Sequence, residues 1–302
     1  MRPTARRAFL RDGSLFLRAA EADRDEEEAR PAVRVGLLTD AHYADANARG
    51  TRYYRESLAK LREAVVVLKG RGIDVAVELG DFIDSAPQAT TTSEIGFLKK
   101  IDAEFRKLRR ADRHYVLGNH CVATLTKEEF LGTVRRRRSY YSFDRNGFHF
   151  VILDACFRED GTPYGRANFA WTDTEIPPEQ REWLAADLTA SSGKAIVFVH
   201  QRLDLSAEND YAVRSSPEVR RILETSGKVL AVFMGHSHKN EYRRIRGIHY
   251  ATLAAMVEGS GAANSGYAAL DVYPDGSLRL KGFRRHAEHP LTEKERRNRD
   301  DR

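Results

Sequence analysis

Five short segments place oxygen and nitrogen donors directly behind apolar runs. "TDAH" at 39–42 offers Asp40 and His42, "GDFID" at 80–84 offers Asp81 and Asp84, and "GNHC" at 118–121 offers Asn119, His120 and Cys121. His200 closes "AIVFVH", and "GHSH" at 235–238 supplies His236 and His238. Carboxylate, imidazole and amide-oxygen donors suit divalent or trivalent first-row metals better than soft, thiolate-bound ones. Asp40, His42, Asp81, Asn119, His200, His236 and His238 are seven donors, too many for one ion, and they fit two ions sharing a carboxylate. Two ions about 3.5–4 Å apart act on both the attacking and leaving oxygens of an in-line displacement at phosphorus, and lower the pKa of a bridging water. Singly, each segment is weak: Gly-Asp is a common turn, and a histidine after a strand is commonly a structural hydrogen-bonding group. Five of the chain's 10 histidines fall at these points, in order, and jointly they point to a metal site.

The elements that must position these groups are legible in the hydrophobic pattern. "VRVGLLT" (33–39), "DVAVELGD" (74–81), "HYVL" (114–117), "KAIVFVHQ" (194–201) and "KVLAVFMGH" (228–236) are short apolar runs of buried strands. Helical spacing marks 54–72 and 94–111, and Thr126 with Glu129 has capping-box spacing before a short helix. A further helix is expected at 177–190, and 216–227 has a serine cap with Pro217 in the first turn. Residues 140–155 read as a hairpin turning at Asn146-Gly147, 247–254 as a strand, and 267–283 as a hairpin turning at Pro274-Asp275-Gly276. Strand–helix alternation implies parallel pairing, and the hairpins make the sheet mixed. The donors then lie at C-terminal strand ends, where α/β sheets bind ligands. One domain at 33–283 follows, with a flexible arm at 1–32 and a charged tail at 284–302.

The ordered set D-x-H, G-D-x-x-D, G-N-H, a later His and G-H-x-H resembles the calcineurin-like metallophosphoesterase superfamily. That resemblance implies a four-layer αββα sandwich of two mixed sheets, an α/β (α+β) fold, with two metals at the strand ends. It implies that Asp40, His42, Asp81 and His238 hold one ion and that Asp81, Asn119, His200 and His236 hold the other, Asp81 bridging. His120 would approach the substrate phosphate and protonate the leaving group, and Gly118 would allow the turn that aims Asn119 and His120. Within the superfamily, "GTRYYRESL", "GDFID", "FHFVILDA" and "GIHYATLAAMVEG" resemble the manganese-dependent ADP-ribose/CDP-alcohol diphosphatases. Members of that group carry glutamine where this chain has His42. The implied function is hydrolysis of phosphodiester or phosphoanhydride bonds in small nucleoside diphosphate derivatives by metal-activated hydroxide. Manganese is the favoured ion, with iron or zinc as alternatives. A cyclic-nucleotide phosphodiesterase or phosphomonoesterase would use the same site, and a metal-binding scaffold without catalysis is the alternative of another class.

Several neighbours of the donors invite roles. Arg52 and Arg55 could grip phosphate bidentately and Tyr53 could stack on a base. Arg202, where many relatives carry proline, is a further candidate phosphate contact. Asp84 is either a loop cap or a support for the ligands. Cys121 stands where relatives have Asp or Glu. A thiol supplies neither the acceptor nor the charge of a carboxylate, so a lowered His120 pKa and general-acid catalysis at lower pH are expected; the alternative is a small buried packing residue.

The bulk properties fit a globular chain of 302 residues, 41% hydrophobic and 31% charged. No apolar stretch approaches the roughly 18 residues of a membrane span. Two cysteines, Cys121 and Cys156, exclude a disulfide framework. The net charge of +6 and "RRRR" at 135–138 are those of a solvated basic face. Without interleaved aromatics no base-stacking platform is indicated there, and nucleic acid is disfavoured as partner. "ARRAFLR" at 5–11 resembles a twin-arginine export signal, but Asp12, Arg18 and Glu21 interrupt its apolar region. A cytoplasmic location is therefore favoured over export. The oligomeric state is left open.

Overall fold

The computed structural model describes residues 30–166 and 168–286, together with the backbone of two strands near the N-terminus. Those two, β1 (Arg6–Arg11) and β2 (Ser14–Ala19), pair antiparallel as a hairpin. They lie in a unit ending at Pro31, distinct from the unit that begins at Ala32. The rest of the expected arm and the charged tail after His286 fall outside the described residues.

In the second unit the apolar runs become strands because the Val, Ile and Phe residues in them suit a pleated, buried surface. β3 (Val33–Leu38) and β4 (Val75–Glu78) are almost wholly buried, and both pair in parallel with a neighbour, as does β5 (Asp112–Tyr115). β12 (Gly266–Val272) and β13 (Leu278–Arg284) add antiparallel to β3, giving the order β13-β12-β3-β4-β5. The second sheet contains the hairpin β6 (Tyr141–Arg145) and β7 (Phe148–Ile152), then β8 (Lys194–Phe198) and β9 (Val229–Met234) parallel to it. β11 (Ile248–Thr252) follows β9 in parallel, and β10 (Glu241–Ile245) closes the order β10-β11-β9-β8-β7-β6.

The two sheets face each other. Val35, Leu37, Val75 and Val77 of the first share one apolar cluster with Phe150, Ile152, Phe198 and Phe233 of the second. α1 (Ser57–Gly70), α2 (Thr91–Phe105) and α3 (Lys127–Thr133) cover the outer face of the first sheet through Leu61, Leu68, Leu98, Ile101 and Phe130. α4 (Pro178–Ala190) and α5 (Ser216–Ser226) cover the second through Leu184, Leu188, Val219 and Leu223. The architecture is the αββα sandwich.

Three local expectations are corrected. α2 begins at Thr91 rather than 94, because Thr90 and Ser93 form a reciprocal capping box, and it ends at Phe105, short of 111. α5 has no serine side-chain cap: Ser215 Oγ bonds the backbone of Ile176, and Ser216 Oγ donates to the Leu205 carbonyl. β10 is a strand that the sequence pattern conceals, since "EYRRI" is a charge-rich edge whose pairing is set by the Arg246-Gly247 turn.

His114 on β5 is buried beneath Phe143, the rings stacked nearly parallel with centroids 3.8 Å apart, and its Nδ1 lies 3.0 Å from the Tyr141 hydroxyl. Burial, helped by the charge of Arg136, lowers its pKa from 6.5 to about 3. The unfolded chain therefore accepts a proton below about pH 6.5 that the native state refuses until about pH 3, so stability falls as pH falls through that window. Urea unfolding at pH 8 and pH 5 should show the wild type losing on the order of 2 kcal/mol more than His114→Gln, from about 1.4 kcal/mol per unit. Equal losses would show that this histidine is not buried neutral.

Candidate dinuclear metal centre

The donors gather because the strands that deliver them end at one edge of the sandwich. Asp40 and His42 follow β3, Asp81 follows β4 and Asn119 follows β5; β3 and β5 flank β4 in parallel. His200 follows β8 and His236 and His238 follow β9, parallel neighbours in the other sheet. The loops are laced laterally, with Asp40 N donating to Gly80 O (2.9 Å), His42 N to Asp81 O (2.7 Å) and Gly235 N to His200 O (3.0 Å).

Closeness here leaves no room for side chains at two glycines. A Cβ at Gly118 would lie 2.2 Å from the Asp81 amide nitrogen and 2.3 Å from its Oδ1. One at Gly235 would lie 2.1 Å from Thr39 Oγ1 and 2.7 Å from Asp40 Oδ2. Asp40, His42, Asp81, His236 and His238 all have left-handed φ, between 45° and 71°. For residues with a Cβ this costs roughly 1–2 kcal/mol each, which the surrounding hydrogen bonds must offset.

Each carboxylate has one oxygen tied back and one turned inward. Asp40 Oδ2 accepts from Thr39 Oγ1 (2.7 Å) and His236 N (3.1 Å), while Oδ1 has no hydrogen-bond partner among the described residues and lies 3.4 Å from His238 Nε2 and 3.5 Å from His42 Nε2. Asp81 Oδ1 accepts from His120 N (2.7 Å), while Oδ2 lies 3.1 Å from His200 Nε2 and 3.5 Å from His42 Nε2. Asp81 therefore stands between the two groups of donors.

The histidines are anchored in the complementary way. Nδ1 of His42 meets Asp84 Oδ2 (3.0 Å), Nδ1 of His238 meets Glu258 Oε1 (2.6 Å) and Nδ1 of His200 donates to the Leu79 carbonyl (2.8 Å). An acceptor at Nδ1 leaves the neutral ring's lone pair on Nε2. The Nε2 atoms of His42 and His238 then face each other at 3.0 Å, and His200 Nε2 faces a carboxylate oxygen. Asn119 Oδ1 and His236 Nε2 are also buried without a partner among the described residues. Opposed lone pairs require positive charge between them. Burial alone would lower His42, yet the neighbouring carboxylates of Asp40, Asp84 and Asp81 push it up to about 10. Burial alone would raise Asp40, yet His238 and His200 hold it well below the usual carboxylate range. His236, which burial and the charge of His200 push down to about 3, stays a neutral donor.

The residues present therefore fit two metal ions. Donor atoms of Asp40, His42 and His238 lie within 4.8 Å of one another, and so do those of Asp81, His200 and His236. A third grouping, His42, Asp84 and His120, is closed by hydrogen bonds instead.

Asp84 caps its own loop, Ser85 N donating to Oδ1 (2.7 Å), and its other oxygen meets Nδ1 of His42 (3.0 Å). It also accepts from His120 Nδ1 (2.9 Å). That bond removes the premise for Cys121: the carboxylate partner of His120 is present, delivered from the loop after β4. Cys121 is fully buried in the apolar cluster under α1–α3, and burial pushes its thiol well above the usual range. It packs.

A cavity of about 680 Å³ opens over the donors, and its lining includes Arg49, Arg52, Tyr54, Phe169, Trp171 and Tyr211. Arg52 thus lies where a phosphate contact was expected. Tyr53 does not line the cavity, and its neighbour Tyr54 does. Arg55 points to Asp45 and Asn47 at the surface. Arg202 is buried, and its guanidinium is taken up by Asp204, Ser237 and Glu241. Neither is placed to meet substrate. Glu258 and the aromatic wall carry no sequence signal of their own, although Glu258 falls within the quoted "GIHYATLAAMVEG" segment.

A two-sheet sandwich with this carboxylate–imidazole cluster at its strand ends defines a metal-dependent phosphoesterase. Residues 33–240 match the calcineurin-like phosphoesterase family model, and the chain belongs to that family. It is similar to the manganese-dependent ADP-ribose/CDP-alcohol diphosphatase of Arabidopsis thaliana, 25% identical over 300 residues, covering 84% of this chain and 94% of that protein. The protein of the same name from Danio rerio is 24% identical over 292 residues, covering 76% of this chain and 88% of its own. Among solved structures, a dimetal phosphatase from Danio rerio superposes with a TM-score of 0.75 at 21% identity, covering 87% of this chain and 99% of that one. A purple acid phosphatase from yellow lupin shares the fold at a TM-score of 0.55 and 15% identity, covering 92% of this chain and 55% of that one.

Loss of the acceptor behind a metal-binding histidine typically weakens metal affinity 10–100-fold. Calorimetric titration of chelator-stripped protein with Mn²⁺ should give two equivalents for the wild type. Glu258→Gln should weaken one of them by about that factor. Unchanged affinity would separate Glu258 from the centre.

Proposed function

We propose that the protein hydrolyses phosphoanhydride bonds of small nucleoside diphosphate derivatives, of the ADP-ribose and CDP-alcohol type, with manganese as the supporting ion. The inward-facing, partnerless oxygen and nitrogen atoms on the floor of the cavity carry this reading. Asp40, His42, Asp81 and His238 would hold one ion, and Asp81, Asn119, His200 and His236 the other. Bound there, the ions supply Lewis-acid charge to phosphate oxygens and lower the pKa of water.

The chain's own residues do the rest. His120 lies half-way into the cavity with Nδ1 committed to Asp84, so Nε2 is the ring nitrogen free to hold or move a proton at a phosphate oxygen of the leaving group. Its backbone N–H, bound to Asp81 Oδ1, ties that ring to the carboxylate between the two groups of donors. A phosphate leaving group is already a stable anion, so its departure asks less of a proton donor than an alkoxide would. Arg49 and Arg52 bring positive charge to the cavity wall for the phosphate that is not attacked.

The aromatic wall favours a substrate with a planar ring. Trp171 and Tyr211 are 39% and 37% exposed, unusual for such side chains, and their ring centroids lie 5.3 Å apart beside His236. Their loops are stitched together, Thr174 Oγ1 donating to Ala212 O (2.9 Å) and Arg214 N to Thr174 O (2.9 Å). A base stacked on such a surface gains about 1–3 kcal/mol.

The test is Mn²⁺-supported hydrolysis of ADP-ribose, with p-nitrophenyl phosphate in parallel. ADP-ribose should be cleaved at the diphosphate, and Asp81→Asn should abolish the activity. Trp171→Ala should lower kcat/KM for ADP-ribose about tenfold relative to a ring-free diphosphate ester, in line with the stacking energy. Cleavage of the monoester alone would replace the diphosphatase with a phosphomonoesterase. Neither reaction, with two ions bound, would make the protein a metal-binding scaffold.

A further inference from the structure

Three of the candidate metal-binding histidines stand on two separate strand ends, His200 after β8 and His236 and His238 after β9. Arg202 spans them. It lies two residues beyond His200 with its side chain 1% exposed, and Nε and Nη2 donate to the two oxygens of Asp204, both at 2.6 Å. Its remaining terminal nitrogen, Nη1, donates to Ser237 Oγ (3.1 Å) and to Glu241. Ser237 is the residue between His236 and His238, whose φ values of 71° and 59° are both left-handed. A guanidinium is suited to this arrangement. Its fork takes a carboxylate bidentately along one edge while the other terminal nitrogen stays free for a second partner, which an ammonium cannot reproduce.

We infer that Arg202 is a positioning residue for the metal centre: anchored on Asp204, it holds Ser237 and so fixes His236 and His238 opposite His200. The inference rests on these three histidines being metal ligands. Arg202 itself touches no substrate, since it is buried outside the cavity wall and its donors are consumed by protein acceptors. Asp204 is buried too and also meets Arg243 Nε at 3.3 Å, so the anchor remains charged and held when its contact to the loop is cut. Two strained residues flanking one hydrogen-bonded serine make that contact the natural restraint on the loop. Without it, the loop keeps its bonds through His236 N to Asp40 and His238 Nδ1 to Glu258, but the lone pairs of His236 and His238 are held less closely opposite those of His200 and Asp40.

The mildest test removes only the hydroxyl. In the full-length protein, Ser237→Ala should weaken Mn²⁺ binding about tenfold by calorimetry, the lower end of the range for lost ligand support. Ser237→Thr, which keeps the hydroxyl, should restore it. Arg202→Lys should behave like Ser237→Ala. At saturating Mn²⁺ both weakened variants should lose kcat on ADP-ribose while KM stays within about twofold, because no substrate contact is removed. Wild-type Mn²⁺ affinity in Ser237→Ala and Arg202→Lys would overturn the inference. So would a raised KM with intact metal affinity, the pattern of a phosphate contact. A wild-type protein that binds no Mn²⁺ would instead overturn the metal reading on which the inference stands, and the inference with it.

Discussion

The convergence of buried negative charge and opposed lone pairs at the strand ends is the constraint on which the rest of this structure depends. Asp40 and Asp81 are almost inaccessible to solvent, and the Nε2 atoms of His42 and His238 meet at 3.0 Å. Taking carboxylates out of water is expensive unless positive charge accompanies them. Protonated rings supply some of it, which is why His42 is driven up while His236 is driven down. A pair of cations satisfies all the inward atoms at once. The left-handed backbone at Asp40, His42, Asp81, His236 and His238 is tolerable because both sheets, the interlaced loop amides and the acceptors behind the rings over-determine it.

Support is therefore distributed well beyond the donors. Asp84 holds His42 and His120, Glu258 holds His238, and the Leu79 carbonyl holds His200. Glu258 is itself held through its chain: Lys60, buried in α1, donates to the carbonyls of Met256, Val257, Glu258 and Gly259 at 2.6–3.3 Å. Val257 N in turn donates to the Asp40 carbonyl (3.0 Å), so a helix on the outer layer reaches the floor of the site through one loop.

The strands and the donors were legible because both depend on local pattern. A short apolar run ended by glycine and a polar group announces a buried strand whose end must do something, and five such endings in order leave little to chance. What stayed hidden depends on groups distant in the chain. Arg55 and Arg202 look alike in sequence, as arginines near donor segments, yet Asp45 takes one and Asp204 with Ser237 takes the other. Cys121 looked like a missing carboxylate only because Asp84, 36 positions away from His120, could not be seen to fill that place. Trp171 and Tyr211 sit in long irregular loops, where no periodicity tells an exposed aromatic from a buried one.

That division also separates what the sheets hold from what the loops supply. The floor of the cavity is made by strand ends, which the sandwich fixes and which cannot move without breaking β-pairing in both sheets. The wall is made by the loops after β7 and β8, joined to each other through Thr174, Ala212 and Arg214 rather than through the sheets. Such loops can change residue type while the floor stays constant. Phe169, Trp171 and Tyr211 from those loops line the cavity together with Arg49 and Arg52 from the loop after β3. Basic and aromatic side chains therefore line the same cavity, above donors that strand pairing in both sheets holds in place.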